Sequence, residues 1–191
     1  MGEQSTDPTL HTPRSALYSS HSTLFLVGYR GTGKTTTAQL LAGRLGWDWL
    51  DADQVLEARH GKTIKQIFAE EGEAGFRDKE AALLAELCRA QRHVIATGGG
   101  IVLRPENRER LKAAGQVVWL TADPATLWQR IAGDATTAER RPNLTVGGLA
   151  EVEQLLQARE PLYREVAQLI VDTARQTPAE VAEIIARWLA R

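Results

Sequence analysis

Residues 28–35 read Gly28-Tyr29-Arg30-Gly31-Thr32-Gly33-Lys34-Thr35, and this glycine-rich stretch decides the fold. The apolar run at 23–27 comes before it and predicts a short buried strand. Residues 36–45 follow with apolar side chains at helical spacing, which predicts a helix. A strand, a glycine loop and a helix in this order form the P-loop that binds nucleotide phosphates. The alternative, a glycine-rich turn that matches by accident, is disfavoured by both flanks.

Each part of the loop suits an anionic ligand. Glycines let the backbone bend so that successive N–H groups point at phosphate oxygens, and the helix N-terminus adds its positive dipole end. Lys34 can reach the terminal phosphates, and the hydroxyl of Thr35 can ligate Mg²⁺. The sequence therefore predicts a nucleotide site that includes a magnesium ion.

Length and composition limit the class of protein. A chain of 191 residues suits one domain with a sizeable core, and the net charge of −1 favours neither nucleic acid nor a membrane as partner. No apolar run is long enough to span a bilayer. Cys88 is the only cysteine, which excludes an internal disulfide and fits a reducing cytoplasm. Its helical neighbourhood predicts a buried, small apolar residue.

The chain divides into a tail and one domain. Residues 1–22 are rich in Ser, Thr, Pro and His and lack apolar periodicity, so we expect a disordered N-terminal tail without a secretory signal. Residues 23–191 alternate strands with helices. Strands are predicted at 23–27, 47–53, 93–97, 116–120 and 169–172. Helices are predicted at 36–45, 55–60, 63–71, 75–89, 105–114, 123–132, 149–167 and 178–191.

This alternation predicts an α/β domain of three layers, α/β/α, with a five-stranded, mainly parallel sheet between helices. Residues 133–148 are polar and loop-like, and Pro161 interrupts the helix at 149–167 or marks a turn in it. Ligands bind beyond the carboxyl ends of parallel strands. The P-loop, the aspartates of 51–53 and Gly98–Gly100 all follow strand ends, so we expect them to meet in one crevice.

Two aspartates end the second predicted strand. Asp51 and Asp53 have strand spacing, so both carboxylates can face the same side. One can hold Mg²⁺ through water while the other orients or deprotonates an acceptor hydroxyl. The alternative for Asp53 is that it only caps the helix that follows. We favour the functional interpretation because a P-loop lies in the same crevice.

A glycine triplet and four arginines complete the candidate site. Gly98–Gly100 follows a buried strand, where a substrate can approach the backbone closely, although three glycines can also form only a flexible turn. Arg77, Arg140, Arg141 and Arg159 lie outside the P-loop, and an arginine fork suits a carboxylate or a phosphate. The alternative for each is a solvated surface charge. A P-loop, Mg²⁺ and an arginine on a mobile loop that excludes water suffice for phosphoryl transfer, so these residues predict a small-molecule kinase.

With these motifs the sequence resembles the shikimate kinase family along almost all of residues 24–190. The matching motifs, in the family's order and approximate spacing, are Gly31-Thr32-Gly33-Lys34-Thr35, Asp51-Ala52-Asp53, Gly75-Phe76-Arg77-Asp78-Lys79-Glu80, Gly98-Gly99-Gly100, Arg141-Pro142-Asn143-Leu144 and Arg159-Glu160-Pro161-Leu162-Tyr163. The resemblance implies a P-loop kinase fold. It also implies transfer of the γ-phosphate of ATP, bound with one Mg²⁺ ion, to the 3-hydroxyl of shikimate, a step toward chorismate and the aromatic amino acids.

The resemblance further implies roles for individual residues. Those implied to be catalytic are Lys34, Asp53 and Arg141. Those implied to hold shikimate are Asp53, Arg77, Gly99 and Arg159, with the two arginines facing its carboxylate. Those implied to contact ATP are Gly31, Thr32, Gly33, Lys34, Thr35, Thr36, Arg141 and Gln176. The metal would be held by Thr35 and, through water, by Asp51.

The sequence departs from the family pattern in its P-loop, its lid and its N-terminal tail. Thr35 stands where many relatives have serine, but its hydroxyl can still ligate the metal. The lid near 133–148 matches poorly outside Arg141-Pro142, and Arg140 can share or replace the role of Arg141. Gln176, with Arg175 beside it, occupies a position after the last strand where the family often contacts ATP. The N-terminal tail has no counterpart in short family members.

Two other functions remain open. One is a different small-molecule kinase, for gluconate or a nucleotide, although the set of Asp53, Arg77 and Arg159 fits shikimate better. The other is a non-catalytic nucleotide-binding sensor of metabolites, which loss of Lys34, Asp53 or an arginine would favour; none is lost. The expected partners are ATP and shikimate in the cytoplasm, without nucleic acid or membrane. The sequence does not determine the oligomeric state, and we expect a monomer.

Overall fold

The structure, a computed structural model, describes residues 23–133 and 147–191. Its strands are β1 (Thr23–Val27), β2 (Asp48–Asp51), β3 (His93–Ala96), β4 (Gln116–Thr121) and β5 (Leu169–Asp172). They form one five-stranded sheet in the order β2-β3-β1-β4-β5, and each neighbouring pair is parallel. The predicted α/β class is confirmed, and the sheet is parallel throughout the described part of the chain.

Strand β1 lies at the centre of the sheet and is buried from end to end. Successive side chains of a strand point to opposite faces. Accordingly, Leu24 and Leu26 belong to one apolar cluster, whereas Phe25 and Val27 belong to another. Because both faces are covered, the strand reads as a continuous apolar run and not as an alternating one.

Helices cover both faces of this sheet. They are α1 (Lys34–Leu45), α2 (Ala52–His60), α3 (Ile64–Leu87), α4 (Pro105–Ala114), α5 (Pro124–Ala132), α6 (Gly148–Val166) and α7 (Pro178–Leu189). Leu41 of α1 and Ile185 of α7 pack with Leu26 on one face, and Tyr163 of α6 packs with Phe25 on the other. The three predicted layers are therefore present. None of the helices described is both long and apolar enough to cross a membrane.

The two helices predicted at 63–71 and 75–89 form one element with a kink. Helix α3 runs across both, and Gly72 within it is not helical, with φ of 71° and ψ of −177°. Glycine adopts this conformation without the steric penalty that a Cβ brings. The helix begins with a capping box, in which Thr63 accepts a hydrogen bond from the backbone N–H of Gln66. The predicted gap at 72–74 is thus a local break at one glycine.

The junction of β2 and α2 differs from the prediction. The strand was expected to extend over 47–53 and the helix to begin at 55, but β2 ends at Asp51 and α2 begins at Ala52. Asp53 therefore lies in the first turn of a helix. The inference that Asp51 and Asp53 share strand spacing is wrong, because the backbone changes conformation between them.

Helix α6 continues through its proline. The sequence predicted that Pro161 either interrupts the helix or marks a turn, but α6 extends from Gly148 to Val166 with Pro161 inside it. Proline lacks an N–H and disturbs one intrahelical hydrogen bond. Leu156 packs against α5 and Tyr163 packs on the sheet, so apolar contacts hold the helix on both sides of the proline.

The single cysteine lies at the edge of the core. Cys88 is the C-cap residue of α3 and is half-buried, packed against the apolar cluster that contains Phe25. Burial raises the pKa of its thiol. The predicted burial is therefore only partial, although the side chain does contribute to packing.

Candidate active site

Three adjacent strand ends bring the predicted residues together. Strands β2, β3 and β1 are neighbours, and they lead into Asp51, Gly98–Gly100 and the loop 28–33, respectively. Parallel strands point the same way, so their carboxyl ends share one edge of the sheet. The crevice expected from the sequence forms at this edge.

The loop after β1 is bent over the start of α1. Gly28 has φ of 142°, and a Cβ there would lie 2.2 Å from the carbonyl oxygen of Leu120, so a larger residue does not fit. The Thr32 hydroxyl donates to the carbonyl of Tyr29 at 2.9 Å and braces the bend. Gly33 is the N-cap of α1 and supplies no side-chain cap. The first N–H groups of α1 can therefore serve an anionic ligand.

Lys34 places its charge against this loop. Its ammonium donates to the carbonyl oxygens of Gly28 at 2.9 Å and Tyr29 at 2.8 Å. Thr36, one residue beyond Thr35 in the first turn of α1, is exposed. The loop thus combines backbone donors with a positive side chain, as binding of terminal phosphates requires.

The two residues predicted to serve a metal lie side by side. The Thr35 hydroxyl donates to Asp51 Oδ2 at 2.5 Å. The other carboxylate oxygen of Asp51 accepts from the backbone N–H groups of Asp53 at 2.9 Å and Gln54 at 3.3 Å. A hydroxyl and a carboxylate oxygen beside a phosphate loop fit Mg²⁺, which prefers oxygen ligands and few protein donors. Within residues 23–133 and 147–191, no group of three or more His, Cys, Asp or Glu side chains could hold a metal alone.

Asp53 faces a small cavity next to the glycine triplet. It is half-buried, and the cavity is also lined by Glu80, Thr97 and Gly98. The helix cap that sequence reasoning offered as its alternative role belongs to Asp51. The N-cap of α2 is therefore Asp51 and not Asp53.

Arg77 is buried against the glycine triplet. Its guanidinium donates to Glu80 Oε2 at 2.8 Å and to Glu73 Oε1 at 3.1 Å, and the residue is 7% exposed. A Cβ added at Gly100 would lie 2.3 Å from Nη1 of Arg77. Gly100 is therefore the residue whose missing side chain lets this guanidinium lie across the turn. The sequence analysis predicted a substrate contact at Gly99 and did not predict that Gly100 makes room for Arg77.

Arg159 reaches the same turn from α6. Its Nη1 donates to the carbonyl of Gly99 at 3.4 Å, and the Tyr163 hydroxyl donates to the same oxygen at 2.5 Å. Arg159 is 7% exposed. Arg77 and Arg159, which are far apart in sequence, thus contact adjacent glycines. A ligand at this turn meets two buried guanidinium groups.

Tyr29 connects the phosphate loop to Arg159. Its ring is buried, and the guanidinium carbons of Arg30 and Arg159 each lie 5.8 Å from the ring centroid. Burial raises the pKa of the Tyr29 phenol, although the positive charges of Arg30 and Arg159 act in the opposite direction. The phenol is therefore neutral at neutral pH and contributes no negative charge to the crevice.

Comparison with known proteins decides the family. A family model described as shikimate kinase matches residues 30–190. The chain belongs to the shikimate kinase family. The shikimate kinase of Rhodopirellula baltica is 50% identical over 159 residues, which are 83% of this chain and 85% of the relative. The shikimate kinase of Cupriavidus pinatubonensis is 48% identical over 163 residues, 85% of this chain and 83% of the relative. The family predicted from the sequence motifs is thereby confirmed.

A solved structure extends the comparison to three dimensions. The shikimate kinase from Acinetobacter baumannii in complex with shikimate superposes with a TM-score of 0.86 at 38% identity, covering 93% of this chain and 97% of that chain. The predicted P-loop kinase fold is confirmed by this likeness, which extends over nearly the whole length of both proteins.

In this member of the shikimate kinase family, Arg130 lies beside the phosphate loop and is a candidate site residue that sequence reasoning missed. Its guanidinium donates to the carbonyl oxygens of Gly31 at 3.3 Å and Thr173 at 2.6 Å. It lines a cavity beside the phosphate loop together with Gly33 and Gln176. One sequence feature could have pointed to Arg130, because it lies in the last turn of α5, just before the predicted lid. The contact with Gly31, 99 residues away, could not be read from local pattern.

Gln176 lies in the same cavity, as the position predicted for an ATP contact requires. Its Oε1 is buried and accepts no hydrogen bond within the residues that the structure describes. A buried amide oxygen without a partner is unfavourable and can accept from a ligand donor such as an amino group. Arg140 and Arg141, together with most of the predicted lid, lie outside the described residues, so their role stays a prediction.

Proposed function

We propose that this protein transfers the γ-phosphate of ATP to the 3-hydroxyl of shikimate, forming shikimate 3-phosphate for chorismate and aromatic amino-acid synthesis. The observation that carries the proposal is the convergence of Arg77 and Arg159 on Gly99–Gly100, beside the phosphate loop. Two buried guanidinium groups suit a carboxylate acceptor, because each can donate paired hydrogen bonds. Family membership supplies the identity of that acceptor.

The nucleotide would occupy the loop at 28–33 and the cavity beside it. The bent backbone and the N-terminus of α1 would bind phosphate oxygens, and the ammonium of Lys34 would neutralise charge that develops during transfer. Arg130 and Gln176 line the adjoining cavity and would contact the rest of the nucleotide. Arg141 remains our candidate for a lid arginine that completes the phosphate site.

One Mg²⁺ ion would be held by Thr35 directly and by Asp51 through water. The support is the contact between their oxygens, 2.5 Å apart at the edge of the phosphate loop. When bound, Mg²⁺ neutralises negative charge on the β- and γ-phosphates. Asp51 also caps α2, so its carboxylate is held in place before the metal arrives.

The acceptor would lie between the glycine turn and α2. Arg77 and Arg159 would bind its carboxylate, and the backbone of Gly99 would allow close approach. Asp53 would accept a hydrogen bond from the reacting hydroxyl and orient or deprotonate it. The ion pair between Arg77 and Glu80 orients the guanidinium while leaving its remaining N–H groups for the acceptor.

The rival functions have less support. Gluconate also carries a carboxylate, but family membership and the set of Asp53, Arg77 and Arg159 favour shikimate. A non-catalytic sensor would not need the residues of phosphoryl transfer, and Lys34 and Asp53 are both present in the crevice. We further propose a cytoplasmic protein without nucleic-acid or membrane partners, because the net charge is −1 and a single cysteine fits a reducing compartment. A monomer stays our expectation.

Removing either acceptor arginine tests the proposed substrate. We expect Arg77→Ala and Arg159→Ala each to weaken shikimate binding by about 1.5–3 kcal/mol, because each loses a charge-assisted contact. ATP affinity should barely change, since neither residue belongs to the phosphate loop. Lysine at either position should restore binding only partly, because it keeps the charge but lacks the planar fork. Titration with shikimate and, separately, with ATP measures both effects.

Arg164→Ala is the matched control for these variants. Arg164 lies on α6 near Arg159 but is exposed and pairs with Glu160 at 2.8 Å. The Arg164→Ala variant should bind shikimate and ATP with the affinities of the unmodified protein. Undiminished shikimate affinity in both Arg77→Ala and Arg159→Ala would contradict the proposed acceptor site.

Gly100→Ala tests the same site without removing a charge. The added Cβ would overlap the guanidinium of Arg77, which lies at the end of a flexible side chain and can move away. We expect shikimate binding to weaken by about tenfold, the size of one charge-assisted hydrogen bond, while thermal stability changes little. Binding titrations and thermal unfolding measure the two effects. Gly43→Ala, in α1, is the control, because the new methyl group meets only open space. Wild-type shikimate affinity in Gly100→Ala would show that shikimate binding does not depend on the position of the Arg77 guanidinium.

A further inference from the structure

A partly buried ion pair joins the phosphate loop to α6. Nη2 of Arg30 lies 3.4 Å from Oε1 of Glu151, and the two side chains are 16% and 1% exposed. Oε2 of Glu151 accepts from the backbone N–H of Gly147 at 2.9 Å. Arg30 belongs to the P-loop and Glu151 to the first turn of α6, 121 residues later. The roles proposed above leave this pair without a task.

The pair is one end of a longer contact between the loop and the helix. Tyr29 belongs to an apolar cluster with Val152 and Leu156 of α6. The guanidinium of Arg159 lies 5.8 Å from the centroid of the Tyr29 ring. Residues three or four apart share a helix face, so Val152, Leu156 and Arg159 form one stripe along α6. The dipeptide Tyr29-Arg30 lies along this stripe.

This arrangement couples the position of Arg159 to the phosphate loop. Glu151 and Arg159 are eight residues apart on one helix, which corresponds to about 12 Å. A helix moves as a rigid element, so a shift or rotation of α6 at Glu151 is carried to Arg159. Phosphoryl transfer needs donor and acceptor held in a narrow range of geometry, and a displacement of about 1 Å can lower the rate 10²-fold.

An ion pair is better suited to this task than an apolar contact. Apolar contacts such as that of Tyr29 with Leu156 are non-directional, whereas hydrogen-bonded charges have a preferred direction and distance. A buried charge also cannot leave its partner without losing favourable interactions that water does not replace. The pair therefore restricts α6 to one position along the loop.

We propose that Arg30 and Glu151 are positioning residues for phosphoryl transfer, which hold α6, and through it Arg159, in register with the phosphate loop. The inference rests on the proposed function, because it takes Arg159 to be an acceptor-binding residue. Neither Arg30 nor Glu151 is assigned a contact with the reacting atoms.

The test is a double-mutant cycle with Arg30→Gln, Glu151→Gln and the two combined. We expect each single change to lower kcat/KM for shikimate about tenfold, with KM for ATP within about threefold of wild type. The double variant should lose less than the product of the two single losses, because both changes remove the same contact between Arg30 and Glu151. Initial rates at varied shikimate and ATP concentrations, together with thermal unfolding, supply these values.

A solvent-exposed ion pair provides the matched control. Arg59 and Glu86 also join two elements, α2 and α3, at 2.6 Å, but their side chains are 46% and 53% exposed. Arg59→Gln should leave kcat/KM within twofold of wild type, because exposed pairs contribute little. An equal loss in Arg59→Gln would show that the effect is not specific to the contact between Arg30 and Glu151.

The outcomes separate positioning from stability alone. If the single variants have a lower unfolding temperature but unchanged kcat/KM for shikimate, the pair is only a stabilising contact and the proposal is wrong. Should either glutamine variant fail to fold, Glu151→Asp provides the test, because it keeps the charge but shortens the side chain. Unchanged kcat/KM for shikimate in Glu151→Asp would also overturn the proposal. Absence of shikimate phosphorylation by the wild-type chain would instead overturn the proposed function itself.

Discussion

Replacing Lys34 with Met is expected to lower kcat by roughly 10²-fold or more. Methionine is similar in length but has no charge, so negative charge developing on the β- and γ-phosphates would lose its nearest ammonium. In the structure this ammonium donates to the carbonyl oxygens of Gly28 and Tyr29, which places it on the phosphate loop itself. The measurement is kcat at saturating ATP and shikimate.

Lys62→Met is the matched control for this prediction. Lys62 is 42% exposed and pairs with Glu70, away from the phosphate loop. Its replacement should leave kcat unchanged, and thermal unfolding should show that both variants remain folded. A folded Lys34→Met protein with near-normal kcat would remove Lys34 from the mechanism.

Asp53→Asn should also cause a large loss of activity with little loss of stability. Positioned general bases contribute roughly 10²–10⁴-fold to rate, and asparagine preserves size while removing the charge that orients or deprotonates the acceptor hydroxyl. The structure sharpens this test. The cap of α2 is Asp51, which accepts from the backbone N–H of Asp53, and that contact does not depend on the side chain at 53. The measurements are kcat and the free energy of unfolding in urea.

Asp48→Asn serves as the control at the other end of the same strand. Asp48 is the first residue of β2 and is exposed, so the change should affect neither quantity. Full turnover in Asp53→Asn would exclude a role for its charge in catalysis. A loss of unfolding free energy equal to the loss of activity would point instead to a structural role for the carboxylate.

Local pattern was sufficient for most of the secondary structure. Strands β1, β3 and β4 were predictable because buried parallel strands are short apolar runs between turn residues, as in Thr23–Val27. In the structure Thr63 and Thr177 cap the helices that follow them, and each cap bond spans only three residues, so these helix starts depend on local sequence. Where two conformations compete over a few residues, pattern failed. At residues 51–53 the pattern is compatible both with the end of a strand and with the start of a helix. In the structure the strand ends at Asp51, because this residue caps α2.

The sequence by itself determined the phosphate loop, the α/β class and the family, because each depends on contiguous motifs or on their order along the chain. It also selected Arg77 and Arg159, although only as members of family motifs. Their meeting at Gly99–Gly100 depends on the sheet order β2-β3-β1-β4-β5, which sets which strand ends are neighbours.

Only the tertiary structure decided the contacts between segments far apart in the chain. The contact of Arg130 with Gly31, the overlap that Gly100 avoids with Arg77, and the ion pair of Arg30 with Glu151 are of this kind. Local periodicity reports which face of an element is apolar, and it carries no information about which buried charge on another element lies opposite. That pairing follows from the packing of whole helices against the sheet, where an uncompensated buried charge is excluded by its desolvation cost.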